Sequence, residues 1–461
     1  MAVVSVVKLS QVEGAWRLDA DYYQPEYIET KNRLSVIKTV VRLKDVASIT
    51  TGPAYSSKEM GENFNIPMAR IGDVTNKTGV EDWIKLSREE FEKFDCKKIG
   101  NLDILMTMTG DPPDVGKCNL IKISNDKTLA FNQRVAKVSA KISPYYLFAY
   151  LSTEIARMQS ERSALGIRQR NVSINDLKNI RVVLPSPNTS RLTINNLVNQ
   201  HLTELENSNS LYSQAENLLL EGLGLKDFKP EYELSYTANL SKAFGVHRVD
   251  AEYFQPIYDK LVKQLATTVE LKPLGNFLLD IKKGIEVGGE QYQEEGKPFI
   301  RVSNLSVDSL TERDQKYISE TLYGELARHY EPKIGELLLT KDATPGIAYV
   351  LKESIEGIIS SGILRMTIDE SQIKKEYLAL CIDSMIGKLQ VKRDGGGSVI
   401  THWKPAQIKK LQVPLLPNEI QQRIASLVEQ SHEARRKAKE LLEGAKSKVE
   451  QAIETASVNR N

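Results

Sequence analysis

The sequence consists of two copies of one unit, and this duplication constrains the fold more than any other feature. Residues 9–27, LSQVEGAWRLDADYYQPEY, match residues 240–258, LSKAFGVHRVDAEYFQPIY, at ten of nineteen positions. The spacing of 231 residues is half of the 461-residue chain. A weaker match at the same spacing joins residues 67–70 to residues 298–301. We therefore expect two domains built on one plan.

The order of apolar runs within each copy predicts mixed α and β structure. Short apolar runs broken by glycine, proline and asparagine, such as IPMARIGDV and NLDILMTMTG, are typical of β-strands joined by turns. A helical patch follows, PYYLFAYLSTEIARMQ in the first copy and EYLALCIDSMIGKLQ in the second, and a last strand closes each body. The predicted fold class is α+β, with two tandem bodies of mixed α/β structure.

Each copy ends in a long stretch with helical periodicity. From Asn418 onward, apolar or small residues recur in alternating steps of four and three, which is the seam of a coiled coil. Two helices of about 35 residues would each be about 50 Å long. We expect an antiparallel coiled coil, with two independent surface helices as the alternative. The residues predicted to pair the helices are Val198, Leu205, Tyr212, Leu219, Ile424, Leu427 and Leu441.

The repeat also predicts the domain boundaries. The first body spans residues 1–186 and its helix 187–225, while the second body spans 226–417 and its helix 418–461. No stretch approaches the roughly 18 apolar residues of a membrane span, and the first residues do not form a signal peptide. We therefore expect a cytoplasmic protein that does not contact a membrane.

The composition and the motifs argue against catalysis. A formal net charge of +2 is too small to suggest nucleic-acid binding by itself, so such binding would need locally placed charges. Residues 111–114, DPPD, lack the aromatic fourth residue of amino-methyltransferases, and residues 395–398, GGGS, lack the lysine of a phosphate-binding loop. The three cysteines and five histidines have no metal-ligand spacing. We expect no catalytic residue, no metal and no cofactor in the chain.

The duplicated chain resembles the specificity subunits of type I restriction–modification systems. The resemblance covers both halves and is carried by the two DxxYxQPxY segments, the acidic-Leu-Leu strand, the glycine-rich loop and the closing run QVPLLPNEIQQRIASLVEQ. It implies that residues 1–186 and 226–417 are target-recognition domains, each reading one half of a bipartite, asymmetric site in double-stranded DNA. The first copy departs from the pattern at residues 185–194, which lack the acidic and glutamine-rich helix start of residues 419–422.

The resemblance also implies partners. The paired helices would act as a spacer and as a docking surface for two methyltransferase subunits, through which restriction subunits join. S-adenosylmethionine, Mg and ATP would be bound by those partner subunits only. Two other hypotheses stay open: the specificity part of a related defence complex, and a scaffold whose two β-rich bodies bind proteins rather than DNA.

Loop residues that can donate to or stack on nucleic acid are the candidate DNA contacts. Arg70 and Arg301 match each other in the repeat, so they either contact phosphate or brace a strand. The candidates are Tyr55, Lys58, Arg70, Arg168 and Arg170 in the first body and Lys283, Arg301, Lys341, Lys392, Arg393 and His402 in the second.

Overall fold

The chain divides into two compact units, and each unit contains one half of each long helix. The first unit is Met1–Leu205 with Arg436–Asn461, and the second is Glu206–Arg435. The computed structural model describes residues 7, 17, 19–75, 79–94, 98–110, 114–123, 127–166, 169–184, 190–312, 314–395 and 402–458.

In the first unit, short strands alternate with short helices before one long helix. The strands are β1 (Val40–Arg42), β2 (Ala47–Thr51), β3 (Ile66–Ala69), β4 (Lys85–Leu86), β5 (Asp103–Thr107), β6 (Thr109–Gly110), β7 (Cys118–Ile121), β8 (Ala130–Phe131), β9 (Val135–Ala140), β10 (Arg170–Asn171) and β11 (Arg181–Val183). The helices are α1 (Pro25–Ser35), α2 (Leu43–Val46), α3 (Ile71–Thr75), α4 (Arg88–Glu92), α5 (Pro144–Leu151), α6 (Glu154–Ser163), α7 (Ile174–Asn179) and α8 (Ser190–Gly222).

The first body is built around a four-stranded antiparallel sheet in the order β2-β9-β5-β7. Every residue of the central strand β5 is buried, which explains why its sequence, DILMT, is an almost continuous apolar run. A smaller sheet has β3 between antiparallel β4 and parallel β8, while β1 pairs antiparallel with β11. The phenol of Tyr146 on α5 donates to the Val183 carbonyl of β11 at 2.7 Å, so the helical patch is tied to the closing strand.

The second unit repeats the main strands and helices of the first in the same order. Its strands are β12 (Glu270–Pro273), β13 (Leu278–Lys283), β14 (Lys297–Ile300), β15 (Lys316–Ile318), β16 (Leu337–Thr340), β17 (Ala348–Val350), β18 (Ile358–Ile359), β19 (Ile363–Ile368) and β20 (Gln412–Leu415). Its helices are α9 (Leu240–Val246), α10 (Pro256–Thr268), α11 (Glu320–Tyr330), α12 (Lys375–Asp383), α13 (Met385–Asp394), α14 (Pro405–Ile408) and α15 (Asn418–Val458).

The sheet topology of the second unit is that of the first. The large sheet has the order β13-β19-β16-β17, β14 pairs with β15 and β18, and β12 pairs with β20. Tyr377 donates to the Pro414 carbonyl at 2.8 Å, as Tyr146 does to Val183. Both α1 and α10 begin at a proline, the residue that the first position of a helix tolerates best. The predicted fold class, two mixed α/β bodies each followed by a long helix, is confirmed.

The long helices α8 and α15 run antiparallel, as each unit shows by itself. In the first unit, Ile194 and Val198 near the start of α8 share one core with Val449 and Ile453 near the end of α15. In the second unit, the end of α8 and the start of α15 meet in the same way, with Leu219 in one core with Ile424. The predicted antiparallel coiled coil is therefore present. Among the described residues, no helix combines the length and the apolar character that crossing a membrane requires.

A buried polar cluster interrupts the apolar seam within the second unit. The Asp308 carboxylate lies 2.8 Å from the Arg435 guanidinium and also accepts from Ser306 Oγ at 2.8 Å. Burial by itself would raise the pKa of Asp308, but Arg435 and the neighbouring hydroxyls outweigh it and hold this pKa below its ordinary value. His432, 9% exposed, lies beside this pair, and among the described residues neither of its ring nitrogens has a hydrogen-bond partner.

Candidate nucleic-acid interface

In the first unit, the end of the central strand meets the segment that follows the helical patch. Strand β6 continues from β5 and pairs antiparallel with β10, which places Thr109 opposite Asn171 and Gly110 opposite Arg170. Thr109 Oγ1 donates to Asn171 Oδ1 at 2.7 Å, and Asn171 is exposed. The Arg170 guanidinium lies 3.2 Å from the Asp21 carboxylate. The junction therefore presents one exposed amide and one arginine that is paired with an acid.

The second unit forms the same junction with different side chains. Asp342 lies opposite His402 in an antiparallel bridge, and His402 Nδ1 is 2.8 Å from Asp342 Oδ1. Lys341 Nζ contacts the same carboxylate, and its own side chain is only 10% exposed. Burial would raise the pKa of Asp342, but the hydrogen bonds from Lys341 and His402 outweigh it and hold this pKa below its usual value. The His402 side chain remains 60% exposed.

The two junctions are held by the same backbone hydrogen bond, so they have the same backbone frame. The Trp403 amide donates to the Lys341 carbonyl at 2.8 Å, and the Val172 amide donates to the Met108 carbonyl at the same distance. The exposed group on this frame is an amide in the first unit and an imidazole in the second. Asn171 was not among the residues that the sequence predicted, although it lies 231 residues before His402 and could have been found from the repeat.

Other predicted contacts of the first body lie outside this junction. Tyr55 is half-buried and packs edge-on against Phe94, with ring centroids 5.4 Å apart. Lys58 is exposed on a 3₁₀ turn. The Arg70 amide donates to the Asp73 carboxylate at 2.8 Å, and the Arg70 guanidinium lies 3.6 Å from the same group. Arg70 therefore stabilises the turn after β3, and a DNA contact by these residues stays a prediction.

The predicted contacts of the second body are partly held by neighbours. Lys283 is exposed at the end of β13. The Arg301 guanidinium pairs with Asp314 at 2.7 Å after β14, which matches the place of Arg70 after β3. Lys392 Nζ lies 4.0 Å from the ring centroid of Tyr232. The role of these cations in DNA binding likewise stays a prediction.

Some predicted features lie outside the described residues. These are Arg168, residues 111–113 of the DPPD sequence and residues 396–398 of the glycine-rich loop. Within the described part of the chain, no group of three or more His, Cys, Asp or Glu side chains is arranged to hold a metal ion.

A duplicated arginine–tyrosine clamp lies next to each junction. In the second unit, the Arg248 guanidinium donates to the carbonyls of Arg393 and Asp394, at 3.2 and 3.0 Å, at the end of α13. It also forms two hydrogen bonds with Asp250, at 2.7 and 2.8 Å, which hold the pKa of Asp250 below its ordinary value. Both Arg248 and the predicted DNA contact Arg393 lie over the ring of Tyr253, at 4.6 and 4.9 Å from its centroid.

The first unit contains the same clamp 231 residues earlier. Arg17 donates to the carbonyl of Ser163 at 3.2 Å at the end of α6, and it pairs with Asp19 at 2.8 Å. Arg17 and Arg162 lie 4.4 and 4.1 Å from the ring centroid of Tyr22. The clamp explains the retained R-x-D-x-x-Y pattern, because the guanidinium satisfies carbonyls that a helix end leaves without intrahelical partners.

We predict that Arg248→Ala lowers the free energy of unfolding by about 1–3 kcal/mol, because carbonyls at the end of α13 lose a charged donor. Arg248→Lys should restore little, since an ammonium cannot reproduce the planar fork of donors. Urea titration of the full-length chain measures both, and Arg17→Ala is the matched variant in the first unit. Full recovery of stability by Arg248→Lys would show that charge alone, without the fork geometry, explains the clamp.

The fold and the junctions together define a duplicated protein whose two bodies present different polar groups on one backbone frame. The model of the family described as type I restriction modification DNA specificity domain matches residues 37–219 and 266–443. The chain belongs to this family.

Two solved structures are similar over most of the chain. One is the type I restriction-modification S subunit from M. genitalium, 14% identical, covering 91% of this chain and 96% of that one with a TM-score of 0.38. The other is the HsdS subunit from Thermoanaerobacter tengcongensis, also 14% identical, covering 90% of this chain and 96% of that one with a TM-score of 0.28.

Proposed function

We propose that this chain is the specificity subunit of a type I restriction–modification complex and reads a bipartite, asymmetric site in double-stranded DNA. Membership of the DNA specificity family supports the DNA-recognition role. Each body, residues 1–186 and 226–417, reads one half of the site. The helices in residues 187–225 and 418–461 separate the bodies and dock two methyltransferase subunits.

The observation that carries this proposal is the difference between the two junctions. A protein that reads two different half-sites needs one scaffold twice, with different hydrogen-bonding groups on it. Asn171 offers an amide, which pairs well with adenine in the major groove. His402 offers an imidazole whose Nδ1 is engaged by Asp342, so Nε2 is the nitrogen available to a base. The two units therefore favour different bases at equivalent positions.

The chain itself performs no chemistry in this proposal. Methylation and cleavage belong to the partner subunits, which bind S-adenosylmethionine, Mg and ATP, and restriction subunits join through the methyltransferases. The complex acts in the cytoplasm. A purified chain that methylates or cuts DNA by itself would contradict this division of labour.

The test measures affinity for duplexes that carry the recognised site, using the full chain assembled with its methyltransferase subunit. Affinity should fall steeply with salt because phosphate contacts release counterions. Asn171→Ala and His402→Ala should each lower discrimination by about 1–3 kcal/mol, in different halves of the site. His329→Ala, an exposed histidine on α11, is the matched control. If the complex shows no salt-dependent and site-specific binding to these duplexes, the result would favour the protein-binding scaffold instead.

A further inference from the structure

The carboxylate of Asp342 has both of its oxygens engaged. Oδ1 lies 2.8 Å from Nδ1 of His402, and Oδ2 contacts the Lys341 ammonium. Although burial opposes it, these two contacts keep the pKa of Asp342 below its usual value, so the group is an ionised carboxylate at neutral pH. An ionised carboxylate has no proton to give, so it accepts the hydrogen from Nδ1 of His402.

This contact decides the tautomer of His402. In a neutral imidazole one ring nitrogen carries the hydrogen and the other has a lone pair that can accept. A hydrogen bond made by one nitrogen therefore fixes the role of the other. Because Nδ1 donates to Asp342, Nε2 is the acceptor. The His402 side chain is 60% exposed, so a base in a DNA groove can reach the ring.

The turn that carries Asp342 has a fixed conformation. The Thr344 amide donates to the Asp342 carbonyl at 2.7 Å, and Thr340 Oγ1 donates to the Thr344 carbonyl at 2.6 Å. Ala343 has a φ of 59°, in the left-handed region that residues other than glycine seldom adopt. Such a backbone persists only where its surroundings hold it, and it is frequent at binding sites. The turn therefore presents the carboxylate to His402 in one position.

The repeat exchanges the supporting side chains together with the exposed one. On the same backbone frame, the first unit places Met108, Thr109 and Asn171 at the three corresponding positions. There a hydroxyl, not a carboxylate, contacts the exposed residue, since Thr109 Oγ1 donates to Asn171 Oδ1 at 2.7 Å. The junction therefore does not require a lysine, a carboxylate and a histidine to fold. A coordinated exchange is expected if the supporting residues set the hydrogen-bonding role of the exposed one.

We propose that Asp342 positions His402 so that Nε2 accepts from the exocyclic amino group of a base, which restricts the second body at this position to adenine or cytosine. In the major groove only adenine N6 and cytosine N4 carry such donors, whereas guanine and thymine present acceptors. The inference rests on the proposed function, because it takes this junction to be a surface that reads DNA. His402 contacts the base, and Asp342 acts through His402 as a positioning residue.

The test uses the full chain assembled with its methyltransferase subunit, and the duplex whose sequence this complex methylates. In the half-site of the second body, each adenine in turn is replaced by purine and each cytosine by pyrimidin-2-one, which removes only the exocyclic amino group. Binding is measured at pH 8, above the range in which imidazoles ordinarily titrate. At one position the replacement should weaken binding by the wild-type chain about 5- to 10-fold, and His402→Ala should show no such loss. Comparing two chains on one duplex cancels any change in the duplex itself.

Asp342→Asn separates positioning from a structural role. Lys341 has only donors, so it holds the amide oxygen and leaves the amide NH₂ facing Nδ1 of His402. Nε2 then carries the hydrogen, and the variant should prefer guanine or thymine at this position. A role confined to folding would weaken binding to all duplexes alike and leave the preferred base unchanged. Glu356→Gln, at another carboxylate paired with a lysine, Lys297 at 2.5 Å, is the matched control and should keep the wild-type preference.

Three results would overturn the inference: no position that is sensitive to loss of an amino group, a sensitivity that persists in His402→Ala, or an unchanged base preference in Asp342→Asn. If Asp342→Asn does not fold, the comparison of the wild type with His402→Ala decides. When the complex still methylates a split site, any of these results leaves the proposed function intact. A chain that forms no complex and binds no specific duplex would contradict the proposed function and this inference together.

Discussion

A chain in which residues 40–185 are replaced by a copy of residues 271–416 will recognise a symmetric site. Both bodies would then be the second body, so the half read by the first body would be lost and the other half would appear twice in inverted orientation. Every altered base pair changes affinity by about 1–3 kcal/mol, so the original site should be bound many-fold more weakly. Sequencing the DNA methylated by the assembled complex measures the outcome.

The structure makes this exchange feasible. Residues at both ends of the replaced segment lie on one strand pair, with Val40 opposite Val183, so the graft is joined at two neighbouring points. The start of each long helix buries an isoleucine and a valine against its body. These residues are Ile194 and Val198 in the first unit and Ile424 and Val428 in the second. Retention of the original asymmetric site by the exchanged chain would contradict the assignment of one half-site to each body.

Stability should fall in mild acid because of His432. Burial lowers the pKa of His432 to about 4, against an ordinary value of 6.5, although the nearby Asp308 carboxylate favours the charged form. The unfolded chain therefore takes up a proton near pH 6.5, while the folded chain stays neutral until about pH 4. The free energy of unfolding should decrease by about 3 kcal/mol over this window through His432 alone, and by about 2 kcal/mol between pH 7 and pH 5.

Substitution by leucine isolates this contribution. The equivalent position at the start of α8 is Leu202, so His432→Leu follows the repeat. The variant should lose the extra acid sensitivity and should be at least as stable as the wild type at pH 7, since it removes buried nitrogens without partners. Urea titrations at both pH values give the difference. Equal acid sensitivity of the two proteins would mean that His432 is not neutral in the fold.

The sequence predicts the architecture well because the same order of strand and helix patterns occurs twice in the chain. Apolar runs such as DILMT at β5 and the prolines at the starts of α1 and α10 recur with the repeat, and local periodicity suffices to assign strands and helices. The short helix α3 begins within the run IPMARIGDV, which the sequence predicts as strand and turn. It is a single turn, which is too short to leave a periodic signal.

The exact face of the helix seam was harder to predict. Three of the residues predicted to pair the helices are buried: Val198, Leu219 and Ile424. The other four are only half-buried: Leu205, Tyr212, Leu427 and Leu441. The residues next to two of these, Val428 and Leu442, are more deeply buried than the predicted Leu427 and Leu441. Leu427–Val428 and Leu441–Leu442 are both apolar pairs, so periodicity cannot choose between their members. The choice depends on the bodies, which pack against one flank of each helix.

The candidate interface could be predicted only in part. Lys341 is the sequence neighbour of Asp342, but His402 is 60 residues away, and only strand pairing brings it to that carboxylate. Thr109 and Asn171 meet for the same reason. Such contacts depend on the tertiary structure, which cannot be inferred from the spacing of residues along the sequence.

The most direct test of the central proposal is the DNA that the complex modifies. The chain is co-purified with the methyltransferase subunit encoded nearby, and the methylated positions in DNA treated with the complex are mapped by sequencing. We predict a stable complex and a site of two different halves with a fixed gap, as two diverged bodies on one pair of helices require. Failure to form a complex and to modify any site, or modification of one continuous sequence without a gap, would contradict the proposal.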